Sequence, residues 1–164
     1  MDEPTWREQY NRMKRWHTRL SESTAVDDRR SDDFHAFFIC CFHLKDWLRA
    51  DSSVGDGIRD DVAGFVDCNL WLRLCADLAN GSKHLKLDRY ARFDSPARLE
   101  KVAAAFDAAF SSKGFESQDA FVIPVAGTLL DALRVTQRCM SAWDHFLTER
   151  GLLADRDSVI EKGS

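Results

Sequence analysis

Residues that interrupt a helix are scarce in this chain. The 164 residues include only three prolines and eight glycines. Proline breaks a helix interior and glycine weakens it, so their scarcity favours long helices. The three prolines, Pro4, Pro96 and Pro124, each stand where a helix is expected to open, at the position that tolerates proline best. The sequence therefore predicts an all-α fold.

Apolar residues recur at helical spacing in five segments. The predicted helices cover residues 4–20, 32–50, 58–80, 95–111 and 124–151. The second and third are joined by a short turn and should pack antiparallel at the centre. We expect a single-domain helical bundle of about five helices over residues 1–154 and a frayed tail at 155–164. A short two-stranded pairing of residues 85–90 with 120–124 is a further expectation.

Charge and cysteine content exclude several classes of protein. The net charge is −4, so there is no global basic field and any nucleic-acid contact must be local. The five cysteines are odd in number and form no C-x-x-C pair, which favours reduced core residues over a zinc site or disulfides. No apolar signal region or run of 18 apolar residues is present. We expect a cytoplasmic protein without membrane contact, bound metal or cofactor.

Two polar stripes are the main candidates for a site. The stripe on the predicted third helix follows spacings of 4, 4, 3 and 4 and consists of Asn69, Arg73, Asp77, Asn80 and His84. The stripe on the second helix consists of His35, His43 and Asp46. Histidine titrates near neutral pH and a neighbouring carboxylate fixes its tautomer, as general acid–base catalysis requires. The alternative is two solvated helix faces carrying ordinary surface ion pairs.

Basic residues follow the first stripe directly. From residue 83 to 92 a single acid, Asp88, stands among four basic residues, and such a cationic strip beside His84 suits a phosphate. The four are Lys83, Lys86, Arg89 and Arg92, the first three of which are the candidate phosphate contacts. A solvated, charged loop is the alternative. The first helix offers a second surface for phosphate in Arg7, Arg12, Lys14, Arg15 and Arg19. The alternative is that those charges offset the acidic linker that follows the helix.

Two motifs carry a family resemblance. FHLKDW (42–47) and CADLANGSKHLKL (75–87) resemble small bacterial helical proteins that are similar to the HEPN superfamily of ribonuclease toxins and phage-defence proteins. HEPN ribonucleases carry R-x(4–6)-H near a helix end, and two protomers form a composite site. Asn80 and His84 match this pattern, while Ala79 stands at the arginine position. Arg12 and His17 on the first helix fit R-x4-H literally.

The resemblance implies a homodimer that binds or cleaves RNA without a metal. In that hypothesis His84 is the general acid or base, and the other residues orient it, support it or hold phosphate. They are Asn80, Asp77, Arg73, Lys83, Lys86 and Arg89, with His43, Asp46 and Asn69 in support.

Two other hypotheses remain open. The stripes can form a buried polar network that fixes helix register in a non-catalytic interaction or dimerisation module. A weaker alternative is a metal site built from His43, Asp46, Asp77 and His84, although the Glu-x-x-His signature of helical-bundle metal sites is absent.

Overall fold

The computed structural model describes residues 4–24, 26–81, 97–102 and 120–153. These residues form five helices and three short strands. Their bounds are α1 Trp6–Glu22, α2 Asp28–Ala50, α3 Asp56–Cys68, α4 Leu70–Gly81, β1 Glu100–Val102, β2 Ala120–Val125, β3 Thr128–Asp131 and α5 Ala132–Glu149. The prediction of a mainly helical bundle is confirmed, and a small sheet accompanies it.

Helix α2 is the centre of the fold. It begins at Asp28, earlier than predicted, because the Asp27 carboxylate caps it by accepting a hydrogen bond from the backbone N–H of Arg30 at 3.0 Å. The helix contacts α1, α3, α4 and α5. Its buried residues occupy more than one narrow stripe: Phe34, Phe37, Phe38, Cys40, Cys41, Leu44 and Leu48. A helix that contacts neighbours on several sides needs such a wide apolar surface.

The predicted helix over residues 58–80 is two helices that meet at Asn69. Asn69 has extended backbone angles, φ −94° and ψ 119°. Its Oδ1 atom accepts hydrogen bonds from the backbone N–H groups of Trp71 at 3.0 Å and Leu72 at 3.2 Å. Asn69 is thus the N-cap of α4 and ends α3 at Cys68. The prediction of one continuous helix is wrong at this residue.

The sheet is antiparallel, with β2 between β1 and β3. Ala126 and Gly127 join β2 to β3 with positive φ angles of 47° and 79°, the backbone of a tight type I′ hairpin. The predicted strand at 120–124 exists as part of β2. Its neighbours in the described residues are β1 and β3, and the partner expected at 85–90 lies outside them.

Two predicted helices are corrected by this sheet. The helix expected over 95–111 is wrong at residues 100–102, which form β1; residues 103–111 lie outside the described part. The helix expected from Pro124 starts only at Ala132, where the Asp131 carboxylate caps it by accepting from the Arg134 N–H at 2.7 Å. The apolar pattern that begins at Leu129 suited a helix and a strand equally well.

The core is one connected cluster of buried side chains drawn from every helix and from β2. Four cysteines lie in it as predicted, whereas Cys68 is exposed. The break at Asn69 explains this difference, because it places Cys68 and Cys75 on separate helices. Among the described helices, none has the length and apolar character that crossing a bilayer requires.

Candidate functional site

Three predicted site residues lie on α4. Asp77 is fully buried, with 0% of its surface exposed, whereas Arg73 and Asn80 are partly exposed. Aspartate is almost never fully buried without a compensating partner. The alternative of a solvated helix face therefore fails at Asp77, which lies in the helix interface rather than in water.

The side chain of Asn69 caps the N-terminus of α4 and is not part of the polar stripe on that helix. Its Oδ1 atom already accepts the two N–H groups of the first helical turn. The continuous helix on which the stripe was drawn does not exist there, so the stripe on α4 begins at Arg73.

His43 and Asp46 form a pair on α2. His43 Nδ1 lies 3.1 Å from Asp46 Oδ2, and their side chains are 32% and 48% exposed. Within the described part of the chain, these two residues and Asp77 do not form a group of metal-ligand atoms within 4.8 Å of one another. Three of the four ligands of the hypothesised His/Asp metal site therefore do not converge.

The predicted catalytic histidine and the phosphate-binding strip follow α4 in the sequence. His84, Lys83, Lys86 and Arg89 lie outside the described residues. Upstream of them, Ala79 is buried and 1% exposed at the position of the HEPN arginine. Arg73, two turns earlier on α4, is the nearest arginine that precedes it in the described residues.

The literal R-x4-H motif on α1 does not form a reactive pair. Arg12 donates to Gln9 Oε1 at 2.8 Å. The His17 ring lies against Phe37, with 6.0 Å between ring centroids, and its Nε2 atom is buried without a hydrogen-bond partner in the described residues. Burial lowers the pKa of His17, although the Asp144 carboxylate acts to raise it. A histidine held neutral and partly enclosed is poorly suited to proton transfer with a ligand.

Two arginine side chains stack on tryptophan rings where α1 meets α2. The Arg12 guanidinium lies over the Trp47 ring at 5.6 Å from its centroid, and the Arg19 guanidinium lies over Trp16 at 5.1 Å. Arg12, Arg15 and Arg19 follow the i, i+3, i+7 spacing of one helix side. We call these five residues, Arg12, Arg15, Trp16, Arg19 and Trp47, the Arg–Trp face.

Arg15 is exposed on α1 and acts electrostatically on Cys40 of α2. Burial raises the pKa of the Cys40 thiol, while the Arg12 and Arg15 guanidinium groups and a hydrogen bond from Trp16 act to lower it. Sequence reasoning found the arginines as phosphate contacts but missed the tryptophans, whose partners on the other helix only the tertiary structure reveals.

Charge on this face opposes the charge of the whole chain. Helix α1 carries five Lys or Arg residues and two Glu, a net of +3, whereas the chain carries −4. Arg19 is bound by Asp33 at 3.1 and 3.2 Å. Within the described residues, no ion pair engages Arg12 or Arg15. Two guanidinium groups therefore remain available to an anion.

A cavity opens beside Trp47. Its volume is about 410 Å³, and its walls include Thr5, Asp46, Trp47 and Ala50. This volume falls within the range of about 300–1,000 Å³ that is usual for small-molecule sites. The indole of Trp47 thus contacts Arg12 and also lines an open cavity.

One group of potential metal ligands exists in the described residues. Cys41, Cys75 and Cys139 bring their Sγ atoms within 4.8 Å of one another. All three are fully buried, and they lie on α2, α4 and α5. The absence of a short cysteine motif hid this group in the sequence, because the three residues are 34 and 64 positions apart.

No family model, curated protein or solved structure matches this chain. The HEPN resemblance of FHLKDW and NGSKH therefore stays a prediction.

Proposed function

We propose that this protein binds single-stranded RNA through the Arg–Trp face. The observation that carries the proposal is the stacking of the Arg12 and Arg19 guanidinium groups on the Trp47 and Trp16 rings where α1 meets α2. Proteins that bind single strands combine cations for the phosphates with aromatic rings on which bases stack. RNA is the ligand that the HEPN resemblance implies, and a cytoplasmic location, predicted from the sequence, would give access to it.

Each arginine has a distinct part in this proposal. Arg19 is held by Asp33, so it orders the face and stacks on Trp16 rather than binding phosphate. Arg12 is oriented by Gln9, whose own Nε2 donates to the Cys40 carbonyl at 2.9 Å. Arg12 and Arg15 then supply the two free charges. A guanidinium group suits phosphate because its planar donors match two phosphate oxygens.

The Trp47 cavity is the proposed base site. A base that stacks on an indole gains about 1–3 kcal/mol, largely independent of its identity. The cavity of about 410 Å³ leaves room for such a ring beside Trp47. This arrangement predicts weak sequence preference and strong dependence on an unpaired strand.

The test uses a matched pair of arginine variants. Fluorescence anisotropy with a labelled single-stranded RNA should show that Arg15→Gln weakens binding about fivefold at low salt, the upper range for a single exposed ion pair. Arg134→Gln removes the same charge from the exposed surface of α5 and should leave affinity unchanged. Equal affinity of both variants and the parent would contradict the proposal. A DNA strand of the same sequence shows whether the ribose matters.

Cleavage is a separate proposal that rests on the resemblance alone. There His84, Asn80, Asp77 and Arg73 act on RNA in a composite site of two protomers. His84→Ala should abolish cleavage while leaving RNA affinity and the melting temperature unchanged.

Burial of Asp77 favours a second candidate function, the non-catalytic interaction module. A buried carboxylate suits a polar network that fixes how α4 packs, and breaking such a network costs about 1–3 kcal/mol. In that case His84→Ala lowers the free energy of unfolding instead, and Arg15→Gln has no effect on any RNA binding.

A further inference from the structure

Three buried sulfur atoms meet where α2, α4 and α5 contact one another. The Sγ atoms of Cys41, Cys75 and Cys139 lie within 4.8 Å of each other, and each residue is 0% exposed. An ion with bonds of about 2.3 Å to three sulfurs holds them roughly 3.5–4 Å apart. The three helices therefore place the sulfurs close to ligating distance already.

Two of the thiols are held as neutral donors. Cys75 donates to the Phe38 carbonyl at 3.3 Å, and Cys139 donates to the Trp71 carbonyl at 3.4 Å. Burial raises the pKa of both thiols well above the usual value. Burial also acts to raise the pKa of Cys41, but the neighbouring Cys139, Cys75 and Trp143 side chains outweigh it and lower this pKa.

Trp143 has a buried donor beside the sulfur group. Its side chain is fully buried, and its Nε1 atom has no hydrogen-bond partner of ordinary geometry in the described residues. The same indole is among the groups that act on Cys41. Buried N–H groups almost always have an acceptor. A ligated sulfur at Cys41 is such an acceptor, and outer-shell donors of this kind are usual at metal centres.

Ligand number and charge select the kind of ion. Structural zinc takes four protein ligands, and the described residues offer no fourth His, Cys, Asp or Glu to this group. Three thiolates carry three negative charges, and net charge is costly to bury. Zn(II) would leave one negative charge in the core and Cu(I) would leave two. A trivalent centre leaves none.

We propose that Cys41, Cys75 and Cys139 form a three-sulfur site that binds a trivalent thiophilic centre, namely arsenic(III). The reaction with arsenous acid breaks three S–H and three As–O bonds and forms three As–S bonds. Each departing proton leaves with a hydroxide as water, so three waters are released and nothing is oxidised or reduced. Both the acid and the product are neutral. Because the sulfurs are buried, uptake requires local opening of the helices and should be slow.

Arsenite and the reduced full-length chain provide the test. Mass spectrometry under native conditions should show one arsenic per chain, with a mass gain of one arsenic atom less three hydrogen atoms. Cys75→Ser should lower the affinity by about 100-fold or more, because even outer-shell changes cost 10–100-fold. Cys40→Ser and Cys68→Ser change cysteines outside the group and should bind as the parent does.

Refolding in the presence of arsenite separates slow access from lack of a site. The parent chain should take up one arsenic in this way even if the native chain reacts slowly. Absence of an adduct after refolding would overturn the proposal and leave the cysteines as ordinary core residues. The proposal would also be overturned if Cys75→Ser and Cys139→Ala bound arsenite as tightly as the parent does. Tighter binding of Zn(II) or Cu(I) than of arsenite by the parent would overturn it as well.

Discussion

The buried ring nitrogen of His17 makes the free energy of unfolding depend on pH. Its Nε2 atom is buried without a partner in the described residues, and the ring packs beside Phe37. Burial lowers its pKa below the ordinary value of 6.5, with Asp144 opposing the shift. Between the lowered value and 6.5, the unfolded chain binds more protons than the folded chain. The free energy of unfolding must therefore fall as pH falls through this window.

We predict that His17→Phe removes this pH dependence, because phenylalanine keeps an aromatic ring but has no proton to bind. Urea unfolding at about pH 5.5 and 7.5 measures the difference on either side of the histidine range. The parent should lose more stability at the lower pH than the variant does. His145→Gln changes an exposed histidine on α5 and serves as the control. The prediction fails if His17→Phe and the parent respond to pH alike.

At the scale of elements, variants of Asn69 distinguish a helix-capping role of this residue from a role in RNA binding. Asn69→Ala removes the acceptor of two N–H groups and should lower the free energy of unfolding by about 1 kcal/mol. Asn69→Asp keeps a cap and should preserve stability. Thermal unfolding followed by circular dichroism measures both variants. A fully stable Asn69→Ala chain that has lost RNA binding would instead return Asn69 to a site.

The elements also show what the sequence could predict. Helix α1 and the part of α5 from Ala132 onward follow from periodic apolar residues and one-sided burial, whereas α2 follows from a wider apolar surface. The cap at Asn69 was visible in principle, since an asparagine precedes the apolar run LWL, but its helical spacing to Arg73 concealed it. The β2–β3 hairpin was missed because its turn, Ala126–Gly127, lacks the usual Asn-Gly or Asp-Gly signal. The Arg–Trp face and the sulfur group depend on contacts between helices, which no local pattern encodes.

At the scale of the whole molecule, the resemblance to HEPN proteins predicts a homodimer. Leu70 and Leu129 are large apolar side chains that remain 52% and 40% exposed on the described chain. Burying such side chains in a symmetric interface would stabilise a dimer. Sedimentation equilibrium should give twice the chain mass at micromolar concentration. A monomer at high micromolar concentration would contradict the dimer and the composite catalytic site, but not RNA binding by one chain.

The distribution of charge over the molecule leads to the most direct test of RNA binding. An acidic chain with two exposed arginines that form no ion pair in the described residues should bind a polyanion weakly and lose affinity as the salt concentration rises. For single strands the slope of log K against log salt is about −0.7 for each phosphate neutralised. Arg12 and Arg15 together predict a slope of about −1.4 or steeper, and Arg15→Gln should make it shallower by about 0.7. A slope that is flat, or that is the same in Arg15→Gln as in the parent, would contradict RNA binding by the Arg–Trp face.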